Sequence, residues 1–181
     1  MTVEATTTTF RTGTWSIDPV HSSVSFTARH LGVAKVRGTF DAFEGTVTTA
    51  ADPRRSSVVA TIRTASVNTR NSQRDGHLRS RDFLDVAAYP TMAFRSTAIR
   101  PRDGETVLVD GELTLRGVTR PVTLAVEVGG FADGPNGSTV AGFSATTEID
   151  RTDFGVTGGP AGAIVSDRIR IALEIEATLT A

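Results

Sequence analysis

Apolar and polar residues alternate along most of the chain, and this period of two is typical of strands with one buried face. Near the C-terminus, apolar residues occupy every second position from Ile169 to Leu179, and residues such as Arg170 and Glu174 stand between them. A helix would spread the same apolar residues around its circumference. The segment is therefore predicted to be a strand with one apolar face.

Similar segments recur along the chain, separated by turn signals such as Asp52-Pro53, Arg116-Gly117 and Gly129-Gly130. We predict roughly eight or nine mostly antiparallel strands, whose apolar faces are buried in a two-sheet sandwich or a closed barrel. Closure removes exposed sheet edges, which favours the barrel. Small residues are expected at inward positions, where they leave room or mark bends: Ala28, Gly38, Gly111 and Gly142.

The charged stretch 69–88 interrupts the alternation and predicts one or two short helices around residues 70–88. Leu78, Phe83 and Leu84 would form the buried side of this insert. Tyr89-Pro90 then returns the chain to an extended conformation, because proline disfavours helix in the preceding residue. A helical insert between barrel strands would cover one mouth of the barrel.

The length of 181 residues fits a single domain, which we expect over residues 14–181 after a flexible tail at 1–13. The threonine-rich start lacks the basic and apolar regions of a secretory signal peptide. Apolar runs do not approach the ~20 residues of a transmembrane helix. A cytoplasmic protein without a transmembrane segment is therefore expected.

Composition narrows the range of functions. The net charge of −1 gives no support for a nucleic-acid partner. The absence of cysteine excludes disulfides, thiolate metal sites and a thiol nucleophile. His21, His30 and His77 lack metal-ligand spacing, and no G-x-S-x-G motif or P-loop is present. We therefore predict no catalytic residues, metal or cofactor, although His77 in the insert is placed to meet a ligand head group.

Several short motifs occur in an order that resembles the YceI-like family over nearly the whole chain from Trp15 onward. They are residues 15–26 (WSIDPVHSSVSF), 30–32 (HLG), 36–40 (VRGTF), 43–45 (FEG), 111–122 (GELTLRGVTRPV), 153–155 (DFG) and 165–167 (VSD), with residues of the insert between Asp75 and Phe94. The resemblance implies an all-β fold: an extended, lipocalin-like, eight-stranded antiparallel β-barrel with a small helical element. It also implies that a long isoprenoid or similar amphiphile is bound inside the barrel. Many relatives are periplasmic and some are dimers, so a homodimer is an expectation.

The apolar inward face is the candidate ligand site, since ligand cavities are mostly apolar with a few placed polar groups. Arg63, Arg81, Arg151 or Ser166 would supply polar groups near a mouth. The expected function is binding of an isoprenoid-like or fatty-acid-like amphiphile for transport, storage or sequestration. The alternatives are an enzyme acting on such a lipid, or a stress-associated structural or interaction protein with a packed barrel. The predicted ligand-binding residues are Val24, Phe26, Phe40, Phe43, Ile62, His77, Phe83, Leu84, Phe94, Leu113 and Phe143.

Overall fold

The computed structural model describes residues 9–104 and 106–181, and this part of the chain forms eleven strands and one α-helix. None of the helical segments described is long and apolar enough to cross a bilayer. The elements are β1 Gly13–Ile17, β2 Ser23–His30, β3 Ala34–Phe40, β4 Phe43–Thr49, β5 Ser57–Arg63, β6 Val67–Asn68, α1 Ser72–Arg79, β7 Thr91–Pro101, β8 Thr106–Leu115, β9 Val118–Asp133, β10 Thr139–Asp150 and β11 Arg168–Leu179.

The sheet closes into an antiparallel barrel whose wall has eight strand positions. Strands β1 and β2 follow one another along β11, where Ile17 pairs with Ala177 and Ser23 with Glu174. Strands β3 and β4 follow one another along β2 and β1 in the same way. Each pair therefore forms one broken strand, and β5, β7, β8, β9, β10 and β11 complete the ring. The predicted eight-stranded antiparallel barrel is confirmed.

Strand β9 continues through Gly129-Gly130, so the predicted turn at this position is wrong. Gly130 pairs with Gly142, whereas Val128 pairs with Phe143, which leaves Gly129 as the extra residue of a β-bulge. Glycine signals both turns and bulges because it tolerates unusual backbone angles, and Gly130 has φ 132°. The bulge changes which positions face inward, from Val126 and Val128 before it to Phe131 after it.

Of the small residues predicted to face inward, Ala28 lines the cavity, but Gly38 and Gly111 do not leave the room that the sequence suggested. A Cβ atom on Gly38 would overlap the ring of Phe26, and one on Gly111 would overlap the ring of Phe94. Aromatic rings therefore already fill the space over these two glycines. Gly142 was expected to face inward but lies on the opposite face from its neighbour Phe143, which lines the interior.

An aromatic cluster fills one end of the barrel, called here the aromatic end. Trp15 is fully buried, and its Nε1 donates to Thr49 Oγ1 at 2.8 Å. The ring of Phe131 lies 5.3 Å from that of Trp15 and 5.4 Å from that of Phe10. Arg11 accepts a hydrogen bond from Thr49 Oγ1 through its carbonyl. Of the tail expected at 1–13, residues 1–8 lie outside the described residues, whereas Phe10 and Arg11 contact the barrel.

The helical insert and the loop 151–167 cover the opposite end, called here the helical end. Helix α1 begins after Asn71, whose side chain accepts from the backbone N–H of Arg74. After the helix the chain turns so that Phe83 and Leu84 are buried, with Leu78 packed beside them. The predicted insert and its buried side are therefore confirmed. The backbone N–H of Gly158 donates to the carbonyl of Asp82 at 2.7 Å, which joins loop and insert.

Arg151 organises the loop at the helical end. Its side chain is buried, with the residue 5% exposed, and its guanidinium donates to four backbone carbonyls and to Asp167 Oδ1 at 2.7–3.0 Å. The carbonyls belong to Val156, Gly162, Val165 and Ser166. A planar group with five donors suits this arrangement better than lysine would.

Asp18 and His21 hold the bend between β1 and β2. One carboxylate oxygen of Asp18 accepts from the backbone N–H of Val20 at 2.8 Å. The other lies 2.7 Å from His21 Nδ1. The hydrogen bond to Asp18 raises the pKa of His21, and the hydrogen bond from His21 lowers the pKa of Asp18.

Replacement of Arg151 by methionine should destabilise the fold, because four buried or partly buried carbonyls would lose their donors. We expect the free energy of unfolding to fall by about 3 kcal/mol, measured by urea denaturation. Arg168→Met, at a side chain that is 79% exposed, is the control and should change it by less than about 0.5 kcal/mol. Equal losses in the two variants would contradict the role of Arg151.

The pKa of His21, followed by NMR titration, should lie above its ordinary value and fall toward that value in Asp18→Asn, with Glu176 at 3.7 Å keeping part of the rise. Because the pKa of His21 is raised, its contribution to stability is complete below its unfolded pKa and is lost as pH rises through the folded pKa. Because the pKa of Asp18 is lowered, its contribution to stability is lost as pH falls through its folded pKa. The pair therefore stabilises the bend most between about pH 4 and pH 6.5. An unchanged His21 titration in Asp18→Asn would rule out this coupling, and the distant Asp52→Asn is the control.

Candidate ligand cavity

A cavity of about 350 Å³ runs along the interior of the barrel. Its lining extends from Phe10 and Pro53 at the aromatic end to Val156 and Val165 at the helical end. The volume lies within the usual range of about 300–1,000 Å³ for small-molecule sites. The shape of the cavity suits an elongated ligand lying along the barrel axis.

Alternation along the strands makes the lining apolar, because inward positions carry the aliphatic and aromatic side chains. Phe26 on β2 pairs with Ile171 on β11, and both line the cavity. The next cross-strand pair, Thr27 with Arg170, points outward. Phe26 and Ile171 remain partly exposed although they point inward, because they face empty space.

The structure brings together ten of the eleven residues predicted to bind the ligand. These ten line the cavity: Val24, Phe26, Phe40, Phe43, Ile62, Phe83, Leu84, Phe94, Leu113 and Phe143. Whether they contact a ligand stays a prediction. The sequence-based set omitted much of the lining on β9 and β11, although alternation already placed these residues on apolar faces: Val122, Leu124, Val126, Val128, Ile169, Ile171, Leu173 and Ile175.

His77 lies outside the lining of the cavity. Its Nε2 is 2.9 Å from Asp82 Oδ2, and its ring meets the ring of Phe83 edge-on with centroids 5.1 Å apart. Phe83 therefore lies between the imidazole and the cavity. His77 supports the position of a lining residue, and its expected contact with a head group would require the insert to move.

Apart from Ser25 and Thr147 on the wall, polar residues contact the cavity near its ends. Thr49, Ser56 and Ser57 lie toward the aromatic end, and Arg151 lies at the helical end. Each guanidinium nitrogen of Arg151 already donates to the loop 156–167. Of the other residues expected near a mouth, Ser166 Oγ accepts from Arg29 N and donates to the carbonyl of Arg168, and the exposed Arg63 and Arg81 are not in the lining.

Among the residues that the structure describes, one group of side chains has metal-ligand chemistry, and it lies on the outside of the barrel. Asp18, His21 and Glu176 bring ligand atoms within 4.8 Å of one another. Both carboxylates approach the same imidazole nitrogen, at 2.7 and 3.7 Å. The hydrogen bonds that hold the β1–β2 bend account for this arrangement without an ion.

Comparison with known proteins places this chain in a family. The profile of the YceI-like domain matches residues 15–177. Protein YceI of Escherichia coli O157:H7 is 44% identical over 137 residues, which cover 75% of this chain and 71% of that protein. A UPF0312 protein of Pseudomonas syringae pv. tomato is 41% identical over 142 residues, which cover 77% and 74% of the two chains.

Solved structures agree with the sequence relatives. BcnA of Burkholderia cenocepacia has a TM-score of 0.80 at 26% identity, covering 88% of this chain and 98% of its own. The Campylobacter jejuni YceI protein has a TM-score of 0.75 at 33% identity, covering 84% and 90%. A polyisoprenoid binding domain from Saccharophagus degradans shares the fold, with a TM-score of 0.72 at 17% identity over 94% and 100% of the chains. With its family profile matched from residue 15 to residue 177, this chain belongs to the YceI-like family.

Proposed function

We propose that the protein binds a long isoprenoid-like lipid, or a related amphiphile such as a fatty acid derivative, inside the barrel for transport, storage or sequestration. The single observation that carries the proposal is the apolar cavity that extends between the two ends of the barrel. The relative from Saccharophagus degradans, described as a polyisoprenoid binding domain, supports this class of ligand.

Apolar burial is sufficient to hold such a ligand without covalent chemistry. Burial gains about 25 cal/mol per Å² of apolar surface, so ~400 Å² of a hydrocarbon chain contributes ~10 kcal/mol before the cost of association. Inward-facing cross-strand pairs supply this apolar surface, among them Phe26 with Ile171 and Val24 with Leu173. The proposed ligand is therefore recognised by the length and shape of its chain.

The charges around the cavity favour a ligand whose buried part is neutral. An ionised head group inside the barrel would need a cationic partner to offset its desolvation. Arg151 contacts the cavity, but hydrogen bonds to four carbonyls and to Asp167 hold its guanidinium in the loop. A charged head group would therefore sit at an end of the cavity, in contact with water.

The two alternative functions receive less support from the geometry. A barrel that serves only as a packed structural protein would lack a continuous cavity, whereas this barrel contains one. An enzyme would bring convergent polar groups to the ligand, whereas His77 faces Asp82 behind Phe83. The geometry therefore supports binding best. The cytoplasmic location and the homodimer expected from the sequence stay predictions.

The purified protein should release a long-chain lipid into organic solvent in an amount close to one per chain. Mass spectrometry of the extract identifies the lipid, and native mass spectrometry of the intact protein gives the ligand mass and the number of subunits together. A clean extract, with no uptake of added polyprenols, quinones or fatty acids, would contradict the proposed function.

Charge introduced on the inner face should abolish binding, whereas the same change on the outer face should not. We expect Phe26→Glu and Ile171→Glu each to weaken uptake of a fluorescent polyprenol at least about 100-fold, because an unpaired carboxylate would be buried. Thr27→Glu and Arg170→Glu are the matched controls, because they alter the adjacent outward pair. Circular dichroism checks that each variant is folded. Full uptake by either folded inner variant would show that this inward pair does not line the site.

A further inference from the structure

Three exposed apolar side chains form a small projection at the helical end, called here the apolar tip. Leu31 and Val33 lie in the turn between β2 and β3 and are 63% and 81% exposed, and Ile164 on the adjoining loop is 42% exposed. The backbone N–H of Leu31 donates to the carbonyl of Ile164 at 2.8 Å, which joins turn and loop. Leu31 has φ 53°, a conformation that favours glycine or asparagine. Folding therefore does not explain an exposed leucine at this position.

The apolar tip lies beside the end of the cavity. Ala28 on β2 and Val165 on the loop both line the cavity. Val165 directly follows Ile164, and Ala28 precedes Leu31 by three residues. His30 forms a bridge with Val165, so strand and loop meet at this point. A surface that contacted the apolar tip would therefore lie next to the helical end of the cavity.

Positive charge lies along the hairpin that carries Leu31 and Val33. Arg29, Lys35 and Arg37 project outward from the β2–β3 hairpin, and Arg29 pairs with Lys35 across it. Residues 24–40 contain no Asp or Glu. On adjoining strands, Arg168 and Arg170 lie 3.6 and 3.2 Å from Glu148, and Asp150 pairs with Arg168, so these charges balance and the excess positive charge belongs to the hairpin itself. The hairpin is therefore cationic although the whole chain has a net charge of −1.

We propose that this hairpin docks the barrel onto an anionic lipid bilayer. Leu31, Val33 and Ile164 enter the boundary between head groups and acyl chains, while the outward cations contact lipid phosphates. Three apolar side chains cover far less than the ~800 Å² that each partner buries in a stable protein complex. Binding to a bilayer needs no such area, because a few inserted side chains and nearby cations add their contributions. Docking goes beyond ligand binding and does not rest on the proposed function.

Vesicle binding tests the proposal directly. The protein should sediment with vesicles of equal parts phosphatidylcholine and phosphatidylglycerol, and much less with vesicles of phosphatidylcholine alone. High salt should weaken the binding, because it screens the exposed charges. Failure to bind the anionic vesicles at low salt would overturn the proposal, whatever the outcome of the ligand experiments.

A matched pair of valines separates the apolar tip from general surface hydrophobicity. Val20 and Val33 are both 81% exposed, but Val20 lies beside Asp18 in the β1–β2 bend. We expect Val33→Ser to weaken vesicle binding about tenfold and Val20→Ser to leave it unchanged. Equal effects of the two substitutions would show that the apolar tip is not the docking site.

The cations are tested in the same way. Lys35→Gln and Arg37→Gln should each weaken binding to the anionic vesicles about fivefold. Arg55→Gln, at an exposed arginine near the aromatic end, is the control and should have no effect. Uptake of the fluorescent polyprenol from solution should be unchanged in Val33→Ser, whose side chain is outside the cavity lining. Lost vesicle binding with intact uptake supports docking as a separate property, and intact vesicle binding in the lysine and arginine variants contradicts it.

Discussion

Backbone pairing between the first strand and the last closes the barrel, with Trp15 opposite Leu179 and Ile17 opposite Ala177. Because the sheet closes here, its backbone groups find partners around the ring and few sheet edges remain exposed. Closure also fixes which side chains point inward, since a shift of one residue would turn every apolar side chain toward water. The cavity, its apolar lining and the two covered ends all depend on this register.

The interior is partly filled, and the way it is filled sets the character of the site. Aromatic rings occupy the space over Gly38 and Gly111, and the cluster around Trp15 and Phe131 fills the aromatic end. The inward side chains of β2 and β11 face open space between these packed regions. Packing thus gives the barrel its stability at the ends and over the glycines, while the remaining volume stays available for a ligand.

The strands and the helical insert could be predicted from the sequence, because period-two alternation and its interruption at 69–88 are local signals. Alternation left both a sandwich and a closed barrel possible, and the removal of exposed sheet edges favoured the barrel. The resemblance to the YceI-like family supplied the number of strands and the class of ligand. The bulge at Gly129 could not be distinguished from a turn, because the same glycine pair permits either backbone path. Gly142 was predicted to face inward and faces outward. Because glycine has no side chain, the residue itself does not indicate which face of the strand it lies on. The hydrogen bonds of Arg151 could not be predicted either, because their acceptors include the backbone carbonyls of Gly162 and Val165. The positions of these carbonyls depend on how the loop folds.

An open interior also determines how the protein should respond to compression. Unfolding removes internal voids, so the unfolded chain and its solvent occupy a smaller total volume than the folded protein does, and pressure favours unfolding. The cavity of about 350 Å³ makes the empty barrel vulnerable in this respect. A lipid that occupied the cavity would remove much of this volume difference. The loaded barrel would then be the form that resists pressure, independently of any gain in its thermal stability.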